Sequence, residues 1–183
     1  MSGSHTLILM RHATAGQGGG TDHGRPLTPE GSREATEAGD WLRDNLPSVD
    51  AVLCSTAVRT RQTLTATRVG APATFADELY GGDVDDILGQ IAAIPDSAGT
   101  VLVVGHAPGI PATAAELVTV AALARANSEA NEAGDPAGAD PEPEPDELRR
   151  FSAGALAVLT TDGSWAELAN RGADLTAVRH PGR

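Results

Sequence analysis

Leu7-Ile8-Leu9-Met10-Arg11-His12-Ala13 is an apolar run of strand length that ends abruptly in an arginine and a histidine. Open α/β sheets bind ligands at the carboxyl ends of their strands, so a buried strand here delivers Arg11 and His12 to such an edge. The pattern occurs again further on, where Thr100-Val101-Leu102-Val103-Val104 runs into Gly105-His106-Ala107-Pro108-Gly109. Two strands that each end in a histidine frame the remaining segments.

Between them the chain alternates. Thr14 to Thr21 contains Gly16, Gly18, Gly19 and Gly20 and reads as a loop beside the site. It is not a nucleotide loop: no Gly-Lys-Ser/Thr follows, and Thr21 stands where the third glycine of a dinucleotide fingerprint belongs. Thr28-Pro29 has the form of a helix start, with Ala35, Ala38, Leu42 and Leu46 at helical spacing and Pro47 as the stop. Ala51 to Cys54 reads as a second strand, with Ser55 capping a helix from Thr56 to about Arg68. Arg59 then falls in a first turn, where free N–H groups favour an anion. Ala73 to Phe75 is a weak strand, Asp77-Glu78 a loop, and Val84 to Ile94 a helix. Ile110, Ala114, Leu117, Val118 and Ala121 give the stripe of a helix behind the second histidine. Strands alternating with helices predict an α/β fold with a largely parallel, doubly wound sheet. Ala155 to Thr161, a turn at Asp162-Gly163, and Trp165 to Ala169 read as a closing hairpin.

The 183 residues fit a single domain, 1–183, and 40% hydrophobic residues suffice for a core. No stretch reads as a membrane span and the first residues lack the features of a signal peptide, so the expected location is cytoplasmic. The net charge of −12 is partly local, because eight of the 25 acids and no basic residue lie between Ala126 and Leu148. Asn127 to Asp146, with prolines interleaved among those acids, reads as a disordered acidic Pro-rich loop. No basic stripe exists for nucleic acid. The single cysteine, Cys54, excludes an internal disulfide.

Phosphoryl transfer needs an in-line nucleophile and fixed positive charge around the equatorial oxygens. Arg11 and Arg59 supply planar forks, and His12 and His106 supply a nucleophile and a proton donor or charge stabiliser. A cysteine-dependent phosphatase requires Cys-x5-Arg, whereas Cys54 to Arg59 is Cys-x4-Arg, and Cys54 reads as a buried strand residue. A metal site also fails, because no two of His5, His12, His23, His106 and His180 have helical i, i+4 spacing.

Leu-Ile-Leu-Met-Arg11-His12-Ala, Leu27-Thr28-Pro29-Glu30-Gly31, Cys54-Ser55 through Arg59 to Gln62-Thr63, and Gly105-His106-Ala-Pro108-Gly109 together resemble the histidine phosphatase (phosphoglycerate mutase-like) superfamily. The short length and Arg-His-Ala opening are most similar to its small bacterial phosphohistidine phosphatase branch, the SixA type. The resemblance runs from about Leu7 to Leu117. It implies a three-layer α/β/α sandwich, no metal or cofactor, and a covalent phosphohistidine on His12. It further implies that Arg11, Arg59 and His106 bind phosphate and stabilise the transition state. Two departures from the mutase pattern stand out. Gly18 lies in a glycine run where a polar Asn is usual. The inserted glutamate general acid is also missing, which leaves Asp77 and Glu78 as candidate acids.

The leading expectation is a metal-independent phosphatase acting on phosphohistidine in a protein, or on another phosphate with a good leaving group. The alternatives are a small-molecule ester phosphatase (nucleotide, sugar or acyl phosphate) and a non-catalytic phosphate-binding protein. Oligomeric state is not legible in the sequence.

Overall fold

Five consecutive apolar or strand-forming residues, Thr6 to Met10, have no exposed edge to offer if neighbours pair on both sides, and His5–Arg11 (β1) is paired in that way. The computed structural model describes residues 4–18, 20–133 and 146–182. Within them, β1 joins Ala51–Ser55 (β2), Ala73–Ala76 (β3), Thr100–Gly105 (β4), Leu156–Thr161 (β5) and Asp174–Arg179 (β6) in one sheet, ordered β3-β2-β4-β1-β5-β6. The β3-β2, β2-β4 and β4-β1 pairs are parallel, while β5 and β6 extend the sheet antiparallel. The fold is the expected α/β sandwich with a mostly parallel sheet.

Strand alternation divides the core in two. Leu7, Leu9, Val101 and Val103 face Val84–Ala92 (α3) and Gly109–Ala133 (α4), where Ile87, Ile91, Ile110 and Leu117 meet them. Ile8, Met10, Leu102 and Val104 face Pro29–Asn45 (α1) and Val58–Thr67 (α2), through Ala38, Leu42 and Leu64. With β1, β2 and β4 parallel, their carboxyl ends share one edge.

The helix starts follow their chemistry. Thr28 caps α1, its Oγ1 accepting from Gly31 N at 3.0 Å, with Pro29 at the first helical position. Ser55 does not cap α2 as expected: Ala57 is the cap residue and makes no side-chain cap bond.

Three further readings need correction. Trp165 to Ala169 is not a strand. Ser164 and Glu167 form a capping box, Trp165–Glu167 is a 3₁₀ turn, and Leu168–Arg171 (α6, after the short helix α5 at Asp146–Arg149) continues it. Trp165 is buried because its indole N–H reaches Ala98 O at 2.8 Å, and Asp174–Arg179 closes the hairpin instead. The segment expected to be a loop from Asn127 begins in helix, since α4 continues to Ala133. Alanine and glutamate favour helix there, and the first proline comes only at Pro136. Residues 134–145 lie outside the described residues. Lastly, Gly109–Ser128 is long and apolar enough to cross a membrane by length and composition alone, contrary to the sequence reading. Its Ile110, Ala114 and Leu117 are nevertheless buried in the core cluster that also holds Leu7, Leu9, Val101 and Val103 of the sheet.

The contact of α1 with α2 depends on Gly39, where a Cβ would lie 2.0 Å from the Thr67 carbonyl oxygen. Gly39→Ala is therefore expected to lose about 1–3 kcal/mol in a denaturant titration, as overpacked cores do. The distance from the strand ends should leave turnover of a small substrate intact in the folded fraction.

Candidate active site

The register of β1 on β4 pairs Arg11 with Gly105 and lets His12 N donate to Gly105 O at 2.9 Å. His12 and His106 thereby leave neighbouring strands side by side, with ring centroids 5.2 Å apart. Thr63 ties the next element in: its Oγ1 accepts from Ala13 N at 3.0 Å and donates to Arg59 O at 2.7 Å. The first turn of α2 is so fixed against the end of β1, and Arg59 is buried to 6% exposure there.

His12 Nδ1 lies 2.8 Å from the Ala13 carbonyl, which can only accept. Nδ1 therefore carries the proton and the lone pair is on Nε2. His106 Nε2 lies 2.9 Å from Ser55 Oγ, while its Nδ1 is buried with no partner among the described residues. Arg11 donates from Nη1 to Phe151 O at 2.9 Å, and the Nε atoms of Arg11 and Arg59 are also buried without partners. His106 Nδ1 and the Nε atoms of the two arginines, none with a partner among the described residues, gather donor and positive groups that suit an anion.

The electrostatics agree. Burial, then the charges of Arg59, Arg11 and Arg25, draw the pKa of His12 down to about 4, partly opposed by the Ala13 carbonyl. Burial followed by Arg59 takes that of His106 to about 3. Burial also lowers Arg11 from its ordinary value, although a guanidinium remains a cation. Cys54 is pushed up to about 12 by burial, which leaves it a thiol and in keeping with a strand residue.

Asp77 and Glu78 are exposed in the 3₁₀ turn Asp77–Leu79, with Asp77 Oδ1 accepting from Thr56 Oγ1 at 2.5 Å. Among the described residues no three of His, Cys, Asp and Glu gather as a metal ion would require.

Sequence reasoning missed Asp22, Arg25, His23 and Tyr80. The Tyr80 ring stands edge-on to His106 at 5.4 Å and to His23 at 4.9 Å, and its hydroxyl donates to Asp22 Oδ2 at 2.7 Å. Asp22 also accepts from Arg25 and from Arg59, and these three donors hold its carboxyl well below the usual range. In the sequence these four share no motif, because the contacts that join them link separate elements.

The family model of the histidine phosphatase superfamily (branch 1) matches residues 7–97. A solved structure from Nakamurella multipartitia, provisionally named a phosphohistidine phosphatase SixA, is 55% identical with a TM-score of 0.85, covering 99% of this chain and 98% of that one. An uncharacterized protein of Mycobacterium tuberculosis is 42% identical over 164 residues, which are 87% of this chain and 91% of the relative. The phosphohistidine phosphatase SixA of Escherichia coli is 30% identical over 117 residues, 61% of this chain and 73% of that protein.

Two histidines with lowered pKa values have a measurable consequence. In an NMR titration the His12 ring should protonate near 4 rather than near its ordinary 6.5, and Arg59→Gln should move that midpoint upward by removing a repelling charge. The folded state binds fewer protons than the unfolded chain below pH about 6.5. Fold stability is therefore expected to be fully present above that pH and to decline as pH falls toward the folded values, about 4 and about 3.

Proposed function

The chain belongs to the histidine phosphatase superfamily, and from that premise we propose that it hydrolyses phosphohistidine, or another phosphate with a good leaving group, through a covalent phosphohistidine on His12. The coarser statement, a phosphatase, follows from the family. The observation that carries the finer one is the meeting of His12, His106, Arg11 and Arg59 around buried nitrogens that lack acceptors. The two relatives named SixA favour phosphohistidine as substrate.

In the proposed reaction the Nε2 lone pair of His12 attacks phosphorus and forms a P–N bond while the bond to the leaving group breaks. A neutral imidazole is the competent form, and the lowered pKa keeps it neutral across the physiological range. Arg11 and Arg59 take up the charge on the equatorial oxygens, and His106 offers a further donor to them. Water then attacks the phosphohistidine, the P–N bond breaks, and inorganic phosphate departs with His12 restored. Among the described residues no donor to the leaving group stands out, since Asp77 and Glu78 are exposed carboxylates. Imidazole and nitrophenolate leave without strong assistance, whereas an alkoxide does not.

Rapid quench without acid, using labelled substrate, should trap phosphate on the wild type in a linkage stable to alkali and labile to acid. Equal trapping by His12→Ala would remove His12 as nucleophile. His106→Ala should lower kcat by about 10²–10³, the usual loss for one electrostatic stabiliser.

A series of phosphate esters measures the missing acid. The expected result is that kcat/KM falls steeply as leaving-group pKa rises, with Asp77→Asn and Glu78→Gln within a few-fold of wild type, below the roughly 10²-fold lost with a working acid. A flat series abolished by either substitution would instead make the protein a small-molecule ester phosphatase.

A further inference from the structure

Arg59 is held through both of its terminal nitrogens by one residue, Asp22. A guanidinium has five N–H donors. Nη1 donates to the Asp22 carbonyl at 2.6 Å and Nη2 to Asp22 Oδ2 at 3.1 Å. Nε is buried and has no partner among the described residues. The Arg59 side chain is 7% exposed while that of Asp22 is 56% exposed, so the carboxylate meets the guanidinium from the solvent side.

Asp22 is itself braced. Its Oδ2 receives the Tyr80 hydroxyl as well as Arg59, and its Oδ1 receives Arg25 Nη1 at 3.1 Å. Arg25 in turn reaches back to Gly16 O at 2.8 Å, and Val58 at the start of α2 donates its N–H to His23 O at 3.1 Å. The guanidinium carbon of Arg59 lies 5.8 Å from the centroid of the Tyr80 ring. The loop, the first turn of α2 and the turn carrying Tyr80 thus converge on one guanidinium.

We propose that Asp22 is a positioning residue for Arg59: by holding the outer edge of the guanidinium it aims the inner N–H groups at a bound phosphoryl group, and Tyr80 braces that hold. The inference rests on the reading of Arg59 as a phosphate ligand. An arginine side chain loses considerable rotamer freedom when it grips a ligand, and a prior tie removes that loss from the binding step. The negative charge of Asp22 opposes phosphate only weakly, because it faces water, which screens it, whereas the Arg59 guanidinium is buried.

The test measures the affinity of inorganic phosphate by calorimetry, together with turnover of nitrophenyl phosphate. Asp22→Ala should weaken phosphate binding about ten-fold, a loss of ~1.4 kcal/mol, raise KM in parallel and leave Tm within a few degrees. In an Arg59→Lys background, where no fork remains to be oriented, the same substitution should change affinity less than about two-fold. Tyr80→Phe removes only the bracing hydroxyl and should weaken phosphate by roughly two- to three-fold, so the inference stays testable if Asp22→Ala does not fold. Tighter phosphate binding by Asp22→Ala would overturn the inference, since the carboxylate would then be a competitor for the site. Equal losses in the wild-type and Arg59→Lys backgrounds would also overturn it, because the effect would not run through Arg59. If Arg59→Met binds phosphate as the wild type does, the phosphate reading of the site fails and takes this inference with it.

Discussion

The parallel pairing of β1 with β4 is the constraint from which the site follows. Strands in register and in the same direction end together, so the residue after each strand meets its counterpart without any loop having to place it. His12 N–H on the Gly105 carbonyl is the last rung of that ladder. Everything that approaches later, from Arg59 through Thr63 to the segment around Phe151 that receives Arg11, is located relative to this pair. A shift of one residue would turn Leu7 and Leu9 to the α1 face and exchange the two cores, so the packing of the sheet and the alignment of the histidines enforce each other.

That alignment gathers positive groups where water is scarce. Burying several cations without an anion is unfavourable, and the protein meets the cost in distinct ways. The histidines give up their protons; Arg11 leans on a carbonyl oxygen; and Arg59 has a carboxylate on its wet side. His106 Nδ1 and the Nε atoms of Arg11 and Arg59 keep no partner among the described residues, and in the proposed reaction a bound dianion would satisfy them.

Much of this was legible in the sequence where local chemistry decides the outcome. Apolar runs closed by Arg11-His12 and Gly105-His106 could only be buried strands with polar ends, and Thr28-Pro29 could hardly be anything but a helix start. The failures share a cause, which is dependence on distant partners or on a competing local signal. Trp165 has the strand propensity of an aromatic, yet its indole needed the Ala98 carbonyl, and the Ser164/Glu167 capping box gave a local signal that outweighed it. The acidic tract drew attention away from the alanines of α4 that precede its prolines. Asp22 carries no pattern of its own, because its partners Arg59 and Tyr80 lie in other elements.

The central position of β1 also has a consequence for the newborn chain. Thr6 pairs with Thr100 on one side and with Thr160 on the other, so this inner strand is made well before its second neighbour. At ordinary synthesis rates roughly ten to thirty seconds separate the two. During that interval Leu7 to Met10 can find β4 but not β5, and an open hydrogen-bonding edge faces the crowded exit of the ribosome. Contacts of such long sequence separation also form slowly. The sheet is therefore complete around β1 only when β5 pairs with it.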